Sequence, residues 1–489
     1  MRPFPPSFST PAIEAYAPRM RLHVTPATFR QLVRGIDTGL VAVSLAGAGI
    51  INGLHHLPLL TGGAWFLGAA AVVLLWHALT PSGAGSLAHR SVTGKAHARN
   101  GLRLWLIILP LLLGPIYAAL GPTATANAAT GLLPAAAISI LWRAFISSRS
   151  QSLIKQGFIS QRVVVAGGGR EAEDTLVRLS QLRREGVHVL GLFDDRETAR
   201  SPHVQHGVAK LGRIVDIPAL LQRTPFDLII VTLPPSAEKR ISQVLSILWE
   251  IPVDIRLAPV HTGLVFRPRT YSWLGDVALL DLFDRPLRAR DALLKRSFDL
   301  IGAAVLLVLL APIMALIALA LRLDSPGPVF FRQAREGYAA RPFRVWKFRS
   351  LHVDKADHGA VVPVTAGDSR VTRVGAWLRK TSLDELPQLF NVLEGDMSLV
   401  GPRPHVVGAR SREMEFANVV RSYSARHRVK PGMTGWAQVN GLRGPVQRPD
   451  EIRRRVALDL EYIDRWSIGF DLRILALTLP TVLRGENAV

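Results

Sequence analysis

Residues Lys380–His405 read KTSLDELPQLFNVLEGDMSLVGPRPH and carry the adjacent carboxylates Asp384 and Glu385. Ser382 followed three residues later by Glu385 has the spacing of a capping box, which predicts a helix with both acids in its first turn. The positive end of such a helix keeps Asp384 ionised and attracts phosphate. With Arg379 before the pair and Arg403 after it, the set suits phosphoryl transfer: a nucleophile, a metal ligand or base, and cationic clamps. The same dipeptide also opens ordinary solvated helices. Pro387 moves the start toward itself if its missing backbone donor matters. The surrounding chain has to decide between these readings.

A chain of 489 residues is long enough for two or three domains. Hydrophobic residues make up 48% of it and charged residues 20%. That combination arises when apolar blocks alternate with charged ones, as in a membrane protein with soluble parts. The formal net charge of +22 calls for an anionic partner. The basic residues flank apolar runs and form no tract interleaved with aromatics, which favours membrane and phosphate over nucleic acid. There is no cysteine, so disulfides and thiolate-bound zinc are excluded. The first apolar run starts near Ile36 after a Pro-rich polar stretch, so no cleaved signal peptide is expected.

Residues 1–34 read as a tail, and residues 35–150 as a four-span transmembrane bundle. The apolar runs lie near Ile36–Leu54, Ala64–Leu79, Leu102–Leu120 and Leu132–Ile146, each about the length of a bilayer crossing. Asn52–Gly63 and Gly121–Gly131 contain no Lys or Arg, whereas Arg90, Lys95, Arg99 and Arg103 separate the second and third runs. The positive-inside rule then puts both ends in the cytoplasm.

Residues 151–265 read as a soluble, Rossmann-like α/β domain. RVVVAGGGREAEDTLVRL, from Arg162, is a β-branched run, a glycine turn and a segment of helical period. Gly167, Gly169 and Ala172 fit the dinucleotide fingerprint, and Asp194 and Asp195 end the next strand at about the expected distance. A dinucleotide or nucleotide-sugar site is one reading. A scaffold whose tight turn merely needs glycine is the other, and it carries more weight because nothing downstream supplies redox chemistry.

Residues 266–290 read as a linker containing Pro268, Trp273 and Pro286. The block Phe298–Leu321 is long enough to span once, yet basic residues flank it on both sides: Arg288, Arg290, Lys295 and Arg296, then Arg322, Arg332 and Arg335. A break at Pro312 lets both ends return to one face, so a re-entrant helix over 298–321 is expected in preference to a fifth span. The final LDLEYIDRWSIGFDLRILALTLPTVL suits an interfacial helix, because Asp471 and Arg473 interrupt its apolar run.

These motifs carry a resemblance. KRSFDLIGAAVLL with its mid-helix proline, SPGPVFFRQ, WKFRS, SLDELPQLFNVLEGDMSLVGPRP, KPGMTGWAQVNG and YIDRWS are similar to the bacterial sugar transferase family, the monotopic polyprenyl-phosphate phosphoglycosyl transferases. With the spans and the Rossmann-like domain, the chain resembles the long-form undecaprenyl-phosphate glucose- or galactose-phosphate transferases that begin exopolysaccharide or O-antigen assembly. The resemblance implies that residues 291–489 form a monotopic α/β catalytic domain on the cytoplasmic side of the bacterial inner membrane. Asp384 would attack a UDP-hexose and carry the sugar phosphate covalently while UMP leaves, before undecaprenyl phosphate takes it. Glu385 would stand beside it at a magnesium (Mg2+) site shared by both carboxylates. Arg379 and Arg403, and with less support Lys347 and Arg349, would bind phosphate. Pro402 and Pro404 would fix the loop of Arg403, and Gln438 and Asn440 would contact the substrate. The long form also implies a homodimer. Glucose is the expected sugar, galactose the alternative. A membrane-bound nucleotide-sugar dehydratase or epimerase would need a Tyr-x-x-x-Lys pair, and none of the nine lysines has a tyrosine four residues before it.

Overall fold

The computed structural model describes residues 24–56, 72, 95–196, 204–234, 237–258, 271–274, 277–353, 368–406, 410–411, 414–420, 422–442, 444 and 448–483. Helix α1, Pro26–His56, begins inside the expected tail, where Thr25 Oγ1 accepts the N–H of Thr28 at 3.2 Å. The second apolar run lies outside the described residues except for position 72. The third and fourth runs share one helical stretch, α2, Lys95–Lys155, kinked at Gly121 (φ 80°). The loop expected over Gly121–Gly131 is therefore largely helix. No proline and no further glycine fall between Pro122 and Gly131, and Thr125 Oγ1 donates to Gly121 O at 2.9 Å across the kink. Asp37 of α1 takes bonds from Ser139 (2.8 Å) and Arg143 (3.0 and 2.5 Å) of α2, a buried pairing that fixes the two helices in register.

Among the described residues two helices are long and apolar enough to cross a membrane, Gly121–Lys155 and Ala289–Asp324. Gly101–Gly114 is apolar but shorter.

The Rossmann-like region is a layered α/β domain. Its strands are β1 (Gln161–Ala166), β2 (Val187–Phe193), β3 (Val204–Gln205), β4 (Val208–Gly212), β5 (Leu228–Val231), β6 (Asp254–Leu257), β7 (Tyr271–Leu274) and β8 (Val277–Phe283). They form one sheet in the order β3-β4-β2-β1-β5-β6-β8-β7. Helix α3, Arg170–Gln181, follows β1; α4, Ile217–Arg223, and α5, Glu238–Leu248, precede and follow β5. Val163, Val164 and Val165 have no exposed surface, and a fully buried side chain of that size contributes about 1.5–3 kcal/mol. Within the expected linker 266–290, residues 271–274 and 277–283 form strands: β7 and β8 pair antiparallel, and β8 extends the sheet from β6. Its alternating YSWL and VALLDLF segments flank Gly275-Asp276, a two-residue hairpin signal that outweighs the nearby prolines.

Helix α6, Ala289–Asp324, carries Pro312 inside it without ending there, so the expected helix-break-helix is one helix. A proline in a long helix costs one hydrogen bond and bends the rod, while the remaining bonds carry the helix through. Both halves pack on the same domain. Ala303 joins the core of Leu389, Val392, Met397 and Leu399, whereas Met314, Ile317 and Leu321 join Phe348 and Leu378. The opposite face exposes Ile301, Val305, Val308, Leu309, Leu316, Leu319 and Leu323. At its start Lys295 bonds Asp299 at 3.0 Å and Asp471 at 2.9 Å. Asp299 in turn accepts from Ser398 Oγ and Leu399 N, at 2.9 and 3.1 Å.

The rest of this domain is compact. β9 (Phe330–Glu336) and β10 (Pro342–Phe348) form an antiparallel hairpin. α7 (Arg373–Thr381), α8 (Gln388–Glu394) and β11 (Ser398–Val400) follow. β12, Gly432–Thr434, pairs parallel with β11. α9, Pro449–Asp464, and α10, Ile468–Leu483, close the chain.

Candidate active site

The dyad does not sit in a capped helix. Ser382 ends α7 in the left-handed conformation (φ 57°) and makes no side-chain cap bond to the segment that follows. Leu383–Glu385 form a single tight turn, and α8 starts at Gln388 behind Pro387. The capping-box reading is therefore replaced by the other possibility the sequence held, a start set by the proline. Buried Asn391 of α8 then sews the dyad to β10. Its Oδ1 accepts Trp346 N–H and its Nδ2 donates to Arg344 O, both at 2.8 Å. This fixes Lys347, the next residue on that strand, relative to the acids.

The two carboxylates are held differently. Glu385 Oε1 accepts from Lys347 Nζ at 2.9 Å and Arg403 Nη2 at 2.7 Å, and Oε2 from Arg403 Nη1 at 3.1 Å. Burial opposes the charge on Glu385, but Arg403 and Lys347 together outweigh it and hold the carboxyl well below the usual range. Asp384 is buried, accepts no hydrogen bond among the described residues, and has one ion pair there, with Lys347 at 3.9 Å. Burial first, and then the charge on Glu385, push its carboxyl up against the pull of Lys347, Arg379 and Arg403. One acid is committed to structure and charge; the other keeps its lone pairs.

Arg403 is presented by a close-packed loop. Gly401 N donates to Thr434 O at 2.8 Å and Gly432 N to Pro402 O at 3.0 Å. A Cβ on Gly432 would lie 2.1 Å from Gly401 N, so only glycine permits this approach. The carbonyl between Pro402 and Pro404 accepts Arg426 Nη2 at 2.7 Å. Arg426 is itself buried against Asp459 at 2.7 Å. It also touches His405, which bonds Tyr423 Oη at 2.8 Å. Burial, then Arg426 and Arg455, hold His405 well below its ordinary pKa and hence neutral.

The structure brings Asp384, Glu385, Lys347 and Arg403 together. Arg379, in the last turn of α7, acts on Asp384 through its charge. Arg349 is engaged elsewhere. It donates to Ser325 O (2.7 Å), Ser325 Oγ (3.0 Å), Leu321 O (3.4 Å) and Pro326 O (2.8 Å), capping the last carbonyls of α6. Arg349 is thus occupied, as a buried cation at a helix C-terminus, with the orphan carbonyls, and it is not among the residues gathered at the dyad. Gln438 keeps a buried Oε1 without a partner among the described residues, while exposed Asn440 donates to Trp436 O at 2.7 Å. Neither is hydrogen-bonded to the dyad among those residues. Sequence reasoning missed Arg335, which shares the Lys347 face of the hairpin. Burial and then Arg403 lower it to about 10, with Glu385 opposing. Alternation along FFRQARE was the available signal.

No group of three or more His, Asp or Glu converges on one point among the described residues. Magnesium commonly needs only one or two protein carboxylates when substrate phosphates and water complete its shell. The free oxygens of Asp384 beside Glu385 fit that partial donor set.

A family model described as bacterial sugar transferase matches residues 290–485, and one described as CoA-binding domain matches 132–259. The undecaprenyl-phosphate glucose phosphotransferase of Komagataeibacter xylinus is 39% identical over 68% of this chain and 60% of its own length. The UDP-glucose:undecaprenyl-phosphate glucose-1-phosphate transferase of Escherichia coli is 44% identical over 49% of this chain and 51% of its own. The protein of the same name from Xanthomonas campestris pv. campestris is 36% identical over 73% of each chain. This chain belongs to the bacterial sugar transferase family. As a sugar transferase it spans less than two thirds of the first two relatives' lengths. The dyad, Lys347, Arg403 and all but the first residue of α6 fall inside the residues matched by the sugar transferase model.

Proposed function

We propose that the chain transfers a hexose 1-phosphate, glucose 1-phosphate in the first place, from a UDP-hexose to undecaprenyl phosphate, releasing UMP and beginning exopolysaccharide or O-antigen assembly. The observation that carries this reading is the asymmetry of the dyad: Glu385 is fully paired and Asp384 is not. A carboxylate oxygen of Asp384 attacks the phosphorus that bears the sugar. The P–O bond to UMP breaks, and UMP leaves with the electron pair. An oxygen of undecaprenyl phosphate then attacks the same phosphorus, and Asp384 departs as carboxylate. Arg403 and Lys347 spread positive charge over the phosphates while Glu385 holds both in place. Asp384 and Glu385 are also the residues that would hold magnesium, which when bound neutralises the diphosphate.

A two-step route lets one small site serve a soluble anion and a membrane anion in turn. The double attachment of α6 supports a monotopic placement on the cytoplasmic face. A single crossing would put Lys295 and Leu321 on opposite sides, yet both ends pack on one domain. Cysteines introduced at 290 and 330, in a chain with no native thiol, test it; labelling from opposite sides rejects the monotopic reading. Homodimerisation is part of the proposal and is read from the particle mass in nanodiscs.

The deciding experiment incubates the enzyme with UDP-glucose radiolabelled in the sugar-bearing phosphate, without lipid acceptor. A labelled enzyme whose label is lost in Asp384→Asn is expected; label retained in that variant rejects the nucleophile. UDP-galactose in the same assay separates the alternative sugar.

A further inference from the structure

The sheet domain holds a second feature that the transfer reaction does not use. β1 lies between β2 and β5, so the chain runs from β1 toward one edge of the sheet and later resumes on the other side. Open parallel sheets bind ligands at such a reversal, beyond the carboxyl ends of the strands. There the chain places Gly167 and Gly169, both at positive φ (111° and 98°). Thr232, just past β5, donates to Gly167 O at 2.6 Å. Gly169 caps the 12-residue α3 and, having no side chain, makes no cap bond to it.

Glycine turns and helix starts alone describe many scaffolds. Asp194 separates this one from them. It follows β2 immediately, beside the turn, because Phe193 O accepts Gly167 N–H at 2.8 Å. The residue is only 4% exposed, and its Oδ2 has no hydrogen-bond partner among the described residues. Oδ1 accepts the N–H of Arg196 at 3.3 Å. A buried carboxylate oxygen without a donor is costly in isolation. An acid at the end of the second strand is where such sheets receive a ribose hydroxyl. Arg196 meanwhile reaches back to Gly168 O at 3.4 Å, with Nη1 3.1 Å from where a Cβ on Gly169 would stand. It thereby holds a cation beside the glycine turn that precedes α3.

We infer that this domain binds a nucleoside diphosphate with an unsubstituted ribose. The ribose hydroxyl donates to Asp194 Oδ2, and the diphosphate lies over Gly167–Gly169 against Arg196 and the start of α3. Coenzyme A, which the matching family model's description would suggest, fits these residues poorly. Its ribose carries a phosphate, and that phosphate would face the Asp194 carboxylate.

Isothermal titration of the full chain in nanodiscs with ADP, GDP, CDP and UDP tests the inference. At least one diphosphate should bind, and Asp194→Asn should weaken that binding tenfold or more with sugar transfer unchanged. Because Asn keeps the acceptor for Arg196 N–H, its melting temperature should match or exceed that of the native chain. On the native chain, the 2′-deoxy form of the bound nucleotide and coenzyme A should each bind at least tenfold more weakly than the parent. This comparison decides the point even if the variant fails to fold. Absence of binding by all four diphosphates, binding indifferent to Asp194→Asn, or coenzyme A binding as tightly as the parent nucleotide would overturn the inference.

Discussion

Arg403 grips Glu385 through both carboxylate oxygens, at 2.7 and 3.1 Å, and in doing so leaves its chain neighbour Asp384 without a hydrogen bond among the described residues. Two adjacent acids in one buried turn would normally compete for the same cations. Here the geometry gives the guanidinium to Glu385 and leaves Asp384 with the free oxygens that the proposed transfer requires.

Arg403→Lys tests the fork. A lysine keeps the charge but cannot bond both oxygens of Glu385 in parallel. Turnover of UDP-glucose should fall by roughly 100-fold, the usual cost of removing one preorganised donor from a reacting oxyanion site. Activity within a few-fold of the native enzyme would mean that charge alone suffices.

Asp384→Asn should abolish turnover and at the same time raise the melting temperature at neutral pH. Burial, followed by the Glu385 charge, raises the folded-state pKa of Asp384. The folded chain then holds this proton to higher pH than the unfolded chain does. Stability is lost as pH climbs from the ordinary carboxyl value through the raised one, and at neutral pH the ionised group is a net cost. The acid limb of kcat/KM should correspondingly lie above the range of an ordinary aspartate, as an apparent value of the coupled pair. A limb at or below that range contradicts the raised carboxyl.

Two buried histidines set an acid limit on the fold. Burial, then Arg426, lowers His427 to about 3, and burial with Arg426 and Arg455 holds His405 well below its usual value. Between the ordinary histidine pKa and these depressed ones, the unfolded chain binds protons that the folded chain refuses. Stability should fall with pH below about 6.5, by about 1.4 kcal/mol per pH unit for each histidine. Denaturant midpoints of purified enzyme at pH 7 and pH 5.5 read this directly, and His405→Gln should remove part of the slope.

Arg349→Met distinguishes a cap from a phosphate ligand. Four acceptors at the end of α6 lose their donor, so a stability loss of about 1–3 kcal/mol is expected, with KM for UDP-glucose nearly unchanged. A raised KM at native stability would return Arg349 to the binding site.

Much of the fold was legible because it rests on local pattern. RVVVAGGG announces a strand and its turn, and the SLDELPQLFN stretch announces the dyad by residue type. What escaped depends on partners far apart in the chain. Whether Arg349 met phosphate or the carbonyls of Leu321 and Ser325 could not be read from WKFRS, since a guanidinium suits both. The support of Arg403 by Arg426 and Asp459 joins residues separated by tens of positions with no shared periodicity. The strand pair of 271–274 and 277–283 was hidden for a simpler reason: prolines near its borders suit a connecting segment as well as a pair of strands.

Lys347 and Arg349 are two residues apart, yet one bonds Glu385 and the other clasps the final turn of α6. That helix is 36 residues long, about 54 Å if straight, so a change in its tilt is a large lever arm on a short rigid strand end. On the proposed membrane placement, bilayer thickness becomes an input to the chemistry. Turnover in vesicles of graded acyl length should pass through an optimum, and Arg349→Met should flatten it by uncoupling the lever from the charged pair.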